Sequence, residues 1–275
     1  MMLLLFADDL TLIADTPVEL QRRLNCLENY CEKWNMTVNM EKSNIIVFKN
    51  GGNLSKHEKW YFKDELIKVV SYYKYLGVFF SSRLKWTMCC KTLRIQSEKA
   101  INMIKNCMTK LRSRDINFGF RLFDSMVAPI LYYGAEIWGT DKVKDIETVQ
   151  NKFCKWLLAT GQTTNNHIAR GECGRYELYI NHMCKPIKYI LHLQRLDNSR
   201  LPKLCYQMMF NLNEHGRTNW CTRIQRLLFT HGFGEVWESQ TVGDEKLFMN
   251  VFKQRLRRDV NSQNWSDHIS NSSKY

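Results

Sequence analysis

The sequence predicts an α+β chain, with short antiparallel strands and one packed helix first and helices thereafter. Two observations carry this. The first ~80 residues contain short β-prone runs separated by turn signals, interrupted by one amphipathic helix. From Trp86 onward the apolar period changes from two to between three and four.

The elements run in this order. Leu3-Leu4-Leu5-Phe6 and Leu10-Thr11-Leu12-Ile13 flank Ala7-Asp8-Asp9 and read as a hairpin. Thr16, Pro17 and Glu19 form a helix start: a cap, a first-turn proline and a capping-box acid. Leu20, Leu24, Leu27, Cys31 and Trp34 then make one apolar stripe. Strands are predicted at 36–39, 43–48, 60–62, 67–70 and 78–80, with Lys49-Asn50-Gly51-Gly52 as a turn. Helices are predicted from Trp86 to about Leu111, and at 118–133, 146–158, 176–196 and 220–229. The Ser/Asn-rich stretch 262–275 reads as a disordered tail.

Length and composition bound the function. The 275 residues hold 44% apolar side chains, 4 Pro and 13 Gly, which excludes a disordered or fibrous chain. The net charge of +13 points to a polyanionic partner, nucleic acid before a membrane surface. It is unevenly placed. Residues 1–50 hold 5 basic and 7 acidic side chains, whereas 51–125 hold 15 and 6. Lys91, Arg94, Lys105 and Arg112 fall on one predicted helix face that could track phosphates, or could simply be solvated. No signal-peptide or membrane-spanning pattern occurs, and the ten cysteines include no CxxC pair. The expected location is intracellular, in cytoplasm or nucleus, with reduced thiols and no membrane partner. His167, Cys173, His182, Cys184 and His192 make a zinc site conceivable, but scattered core thiols and surface histidines are the stronger reading.

Asp8-Asp9 is the sharpest chemical feature. Two adjacent carboxylates between apolar strands repel each other, and a divalent cation relieves that. Mg²⁺ takes one or two carboxylates together with substrate phosphates. The competing reading is an ordinary turn aspartate.

The neighbouring residues bear on that choice. Leu5-Phe6-Ala7-Asp8-Asp9 resembles the aromatic-Ala-Asp-Asp box of reverse transcriptases, and the capped helix after it matches the next stretch of the palm beyond that box. Asn39 to Phe48, with Lys42 before an apolar strand, is similar to the next palm motif. Tyr73-Lys74-Tyr75-Leu76-Gly77-Val78 is similar to the primer-grip hairpin. Leu131 to Gly139 and Gly171 to Tyr176 resemble segments downstream of the palm in non-LTR (LINE-type) retrotransposon enzymes. The order agrees over residues 1 to about 195.

The resemblance implies an RNA-directed DNA polymerase working by two-metal nucleotidyl transfer. Its partners would be an RNA template, a DNA primer and dNTPs. Asp8 and Asp9 would hold Mg²⁺, and Lys42 would lie near the incoming phosphates. Tyr75, Leu76 and Gly77 would position the primer. The implied domains are a partial palm (1–82), a helical thumb (83–140) along the duplex, a helical extension (141–261) and the tail (262–275). Such an enzyme also needs fingers and another palm aspartate ahead of the aromatic-Ala-Asp-Asp box. The seven residues before Asp8 include no acid. The expectation is therefore a C-terminal portion of the enzyme, from a truncated gene model or a degraded element copy, and inactive alone. A non-catalytic nucleic-acid-binding remnant, or a pseudogene product, is the alternative.

Overall fold

The computed structural model describes residues 2–49, 51–52, 54 and 58–272. Strands come first and helices come after, as the periodicity predicts. The chain divides into two compact units, Met1–Cys89 and Cys90–Tyr275.

In the first unit, β1 (Met2–Phe6) and β2 (Asp9–Ile13) form an antiparallel hairpin with Phe6 opposite Asp9. Helix α1 (Pro17–Lys33) starts as predicted: the Thr16 side chain accepts the Glu19 N–H. Its apolar stripe packs on two short pairs. One is β3 (Asn44–Ile45) with β6 (Lys68–Val69), and the other is β4 (Tyr61–Phe62) with β5 (Glu65–Leu66). Leu24 and Cys31 meet Ile45, Trp60, Phe62 and Ile67 in a small core. Polar clamps fix the register. Trp60 Nε1 donates to Pro17 O at 2.9 Å. The Gln21 amide pairs with both backbone groups of Tyr61, at 2.8 and 2.9 Å, much as a neighbouring strand would. The last hairpin is β7 (Tyr72–Tyr75) with β8 (Val78–Ser81).

Two strand expectations are corrected by the fold. Residues 36–39 form no strand. The chain leaves α1 through Asn35 in a left-handed conformation and then turns at Asn39, whose carbonyl and side chain accept from Lys42 N. The pair β3–β6 is parallel rather than antiparallel, because a long excursion carrying β4 and β5 separates its strands.

Helix α2 (Thr87–Lys110) contains the division between the units. The second unit continues with α3 (Ile116–Leu122), a π-helical turn (Phe123–Val127) and α4 (Ala128–Leu131), which together fill the single helix predicted at 118–133. Then come α5 (Ala135–Trp138), α6 (Lys144–Leu157), α7 (Asn166–Glu172), α8 (Tyr179–Arg195), α9 (Leu201–Glu214), α10 (Trp220–Thr230), α11 (Gly234–Ser239) and α12 (Glu245–Ser272). Phe120, Phe123 and Phe153 stack in one buried aromatic group. A separate core joins α8 to α10, α11 and α12 through Ile187, Leu191, Ile224, Leu228, Trp237 and Phe252.

Helices α5, α7, α9, α11 and α12 go beyond the predicted set. The backbone of α12 continues helically through the stretch expected as a disordered tail, as far as Ser272; 273–275 lie outside the described residues. An amphipathic first half anchored by Phe252, Leu256 and Val260 nucleates the helix, after which each added residue needs only propagation. No helix among the described residues is long and apolar enough to cross a membrane.

Candidate carboxylate hairpin and basic groove

The β1–β2 turn consists of Ala7 and Asp8. Ala7 takes φ +52° and Asp8 does not go left-handed, the pattern of a type II′ turn, in which only the first central residue needs positive φ. Glycine suits that place, and an alanine there carries local strain of about 1–3 kcal/mol. The strain fixes a tight tip that carries two consecutive carboxylates, Asp8 in the turn and Asp9 at the start of β2. Both are exposed, and among the described residues neither makes an ion pair or a side-chain hydrogen bond. Two unpaired hard-oxygen donors fit part of a Mg²⁺ shell, whose other positions water and phosphate oxygens can fill. Among the described residues no group of three or more His, Cys, Asp or Glu side chains could hold a metal ion.

The other predicted palm residues gather around a second hairpin. Lys42 is exposed, on the loop before β3. Its backbone is pinned from both sides: its N–H donates to Asn39 Oδ1 at 3.1 Å, and its carbonyl accepts from Tyr73 of β7 at 3.4 Å. The Lys42 loop and the β7–β8 hairpin are therefore neighbours. The hairpin turn is Leu76-Gly77, with Tyr75 opposite Val78. Both turn residues are left-handed, at φ +45° and +84°, which is the signature of a type I′ turn. Gly77 suits its place, whereas Leu76 stands where Asn is usual. No hydrogen bond or ion pair links Lys42 to Asp8 or Asp9 among the described residues.

Of the four cations predicted on one helix face, Lys91, Arg94 and Lys105 lie in α2 and Arg112 does not. Arg94 is committed to Asp145 at 2.8 Å and to Glu98 at 3.2 Å. Arg112 lies beyond the end of α2, left-handed at φ +48°. Lys91 is exposed on the first turns of α2. Only Lys105 enters a charged cavity, and its partners were not predicted. Arg114, Lys152, Lys155 and Trp156 join it around a groove of about 660 Å³. A signal for them exists in the sequence, as Lys152, Lys155 and Trp156 on successive turns of one helix. The apolar stripe of that helix, which includes Trp156, masks it.

The zinc candidates are dispersed into other roles. His182 is buried, with Nδ1 on the Gly139 carbonyl at 3.0 Å, and Cys184 donates to Ile180 O. Cys173 lies against Cys154, where burial pushes both thiols up. The downstream segments are structural. Arg170 pairs with Glu177 at 2.7 Å, both nearly buried, and Arg175 grips Asp124 with two bonds.

Comparison with known proteins finds a family over one part of the chain. No curated protein matches the chain, and no solved structure does. Residues 1–80, which carry the carboxylate hairpin, the Lys42 loop and the Leu76-Gly77 turn, are similar to reverse transcriptase (RNA-dependent DNA polymerase), whose family model matches them.

Proposed function

We propose that the first unit is part of the palm of a LINE-type retrotransposon reverse transcriptase, with Asp8 and Asp9 as its Mg²⁺ ligands. The strained turn that holds two unpaired carboxylates at the tip of an apolar hairpin, inside the matched residues, carries this reading. Asp8 and Asp9 would hold and orient Mg²⁺, which when bound would supply Lewis-acid activation of the primer 3′ oxygen and charge neutralisation on the leaving pyrophosphate. The exposed Lys42 offers a proton donor to the departing phosphate, and the Leu76-Gly77 turn offers a rigid edge for the primer strand.

The hairpin also displays Leu5, Phe6, Leu10 and Ile13, all substantially exposed. The register puts Leu5 and Leu10 on one side and Phe6 and Ile13 on the other, and exposed apolar side chains on a two-stranded sheet call for cover. Among the described residues no third His, Cys, Asp or Glu side chain joins Asp8 and Asp9 in a group that could hold a metal ion, so on this reading the remaining ligands would come from another polypeptide segment.

Primer extension on an RNA template tests the reading. Residues 1–275 with Mg²⁺ and dNTPs incorporate nothing. Supplemented with a segment that provides fingers and a further palm carboxylate, the chain is expected to incorporate dNTPs, and Asp8→Ala is expected to lower this by at least about 10³-fold. Supplemented activity that survives Asp8→Ala contradicts the metal-ligand assignment. Asp8-dependent incorporation by residues 1–275 alone contradicts the need for outside ligands.

A further inference from the structure

The groove between the end of α2 and the end of α6 collects cations that the fold has no evident need to bring together. Lys105 comes from α2, Arg114 from the loop after it, and Lys152 and Lys155 from α6. Trp156 organises them. Lys105 Nζ stands 5.4 Å from the indole centroid, and the Arg114 guanidinium carbon 5.7 Å. Behind the ring, Phe153 stacks on it within 18° of parallel and ties it to the aromatic core. Arg114 also donates to the Trp156 carbonyl at 3.4 Å. Lys155 is 8% exposed and donates to the Gln162 carbonyl at 2.7 Å, closing the far wall.

Like charges gathered this way oppose folding unless something compensates them. The one acid beside the groove, among the described residues, is Glu98. It receives Lys152 at 3.1 Å but is shared with Arg94, and no acidic side chain lines the groove itself. Lys105 shows the uncompensated field: burial, and then the charge of Lys152, hold its ammonium below the usual lysine range. A ligand bearing several negative charges is the missing partner.

We propose that this groove binds the phosphodiester backbone of a nucleic acid, with Lys105, Arg114 and Lys152 contacting phosphates and Trp156 and Lys155 fixing their geometry. The choice of nucleic acid over other polyanions rests on the polymerase reading of the first unit. The cation cluster itself rests only on the second, which the family match does not reach. Of the cations predicted on the α2 face, Lys105 lines this groove.

The test is the salt dependence of binding by the full chain to a fluorescent RNA–DNA hybrid, read by anisotropy. It needs no catalysis, so a failed palm assignment leaves it unaffected. Each lost phosphate contact lowers the slope of log K against log[salt] by about 0.9. The variant K105Q/R114Q/K152Q is expected to lose about 2.7 from the slope. The control K188Q/R226Q/K246Q removes the same charge from exposed positions of the same unit and is expected to keep the wild-type slope. Lys105→Arg, which retains the charge over Trp156, keeps it too. An unchanged slope in the groove variant, or an equal fall in the control, overturns the proposal.

Discussion

Two titratable residues of the second unit, buried His182 and half-buried Glu147, show how single side chains set its response to pH. Burial pushes His182 down to about 4, against the help of its bond to Gly139. A depressed base stabilises the fold above its unfolded pKa of about 6.5, and that contribution is lost as pH falls towards 4. Glu147 runs the other way. Enclosure beneath the N-terminus of α8 raises it to about 7, although its carboxylate accepts the N–H groups of Leu178 and Tyr179. A raised acid stabilises below its unfolded value, 4.5, and that contribution is lost as pH rises through about 7. The two oppose each other over one window, each on the order of 2 kcal/mol after allowance for partial solvation. Urea unfolding of two variants separates them. Glu147→Gln should lose stability as pH drops from about 6.5 to about 4, and His182→Asn should lose it as pH rises from about 4.5 to about 7. Parallel profiles would refute both assignments.

At the scale of elements, the contact of α5 with α8 depends on a proline and a glycine working together. Pro186 lies inside α8 and has no N–H, so the His182 carbonyl four residues earlier loses its helical donor. Gly139 packs against that oxygen. A Cβ at Gly139 would stand 2.5 Å from it and 2.4 Å from the Ala135 carbonyl. Neither is the end of a flexible side chain, so Gly139→Ala must push two helices apart. It should cost about 3 kcal/mol or more, read as a fall in the urea midpoint of the second unit. Gly171→Ala, which meets open space, should cost far less. Equal losses would show that the close approach is unimportant.

The same scale shows what the sequence made legible. Helix α1 was readable from Thr16, Pro17 and the Leu20 to Trp34 stripe, because capping and amphipathicity are local. The Leu76-Gly77 and Asp8 turns were readable for the same reason. Helix α9 was not, since its apolar residues run all round it, with Leu201, Leu204, Met208 and Leu212 exposed; nor was α12, whose buried positions are set by packing with α8, α10 and α11. Nor was the parallel pairing of β3 with β6, which joins residues 24 positions apart through two-residue strands. Of the site, the carboxylates were legible as a motif. The groove was not, because it is assembled from residues up to about 50 positions apart whose common element, Trp156, reads as core.

On the scale of the whole molecule, charge and chemistry are divided between the two units. The first presents exposed carboxylates on a strained hairpin, and the second gathers cations around an indole. On the reading proposed above, the first would hold metal ions and the second a polyanion. Its central claim is that Asp8 and Asp9 bind the divalent cation. The direct measurement is Mn²⁺-induced paramagnetic broadening of backbone amide signals in the full chain, with Mn²⁺ standing in for Mg²⁺. The account predicts that the amides of Phe6 to Leu10 broaden first, and that Asp8→Asn with Asp9→Asn removes the effect while leaving the rest of the spectrum in place. Broadening that begins elsewhere, or that persists at the hairpin in the double variant, would contradict it.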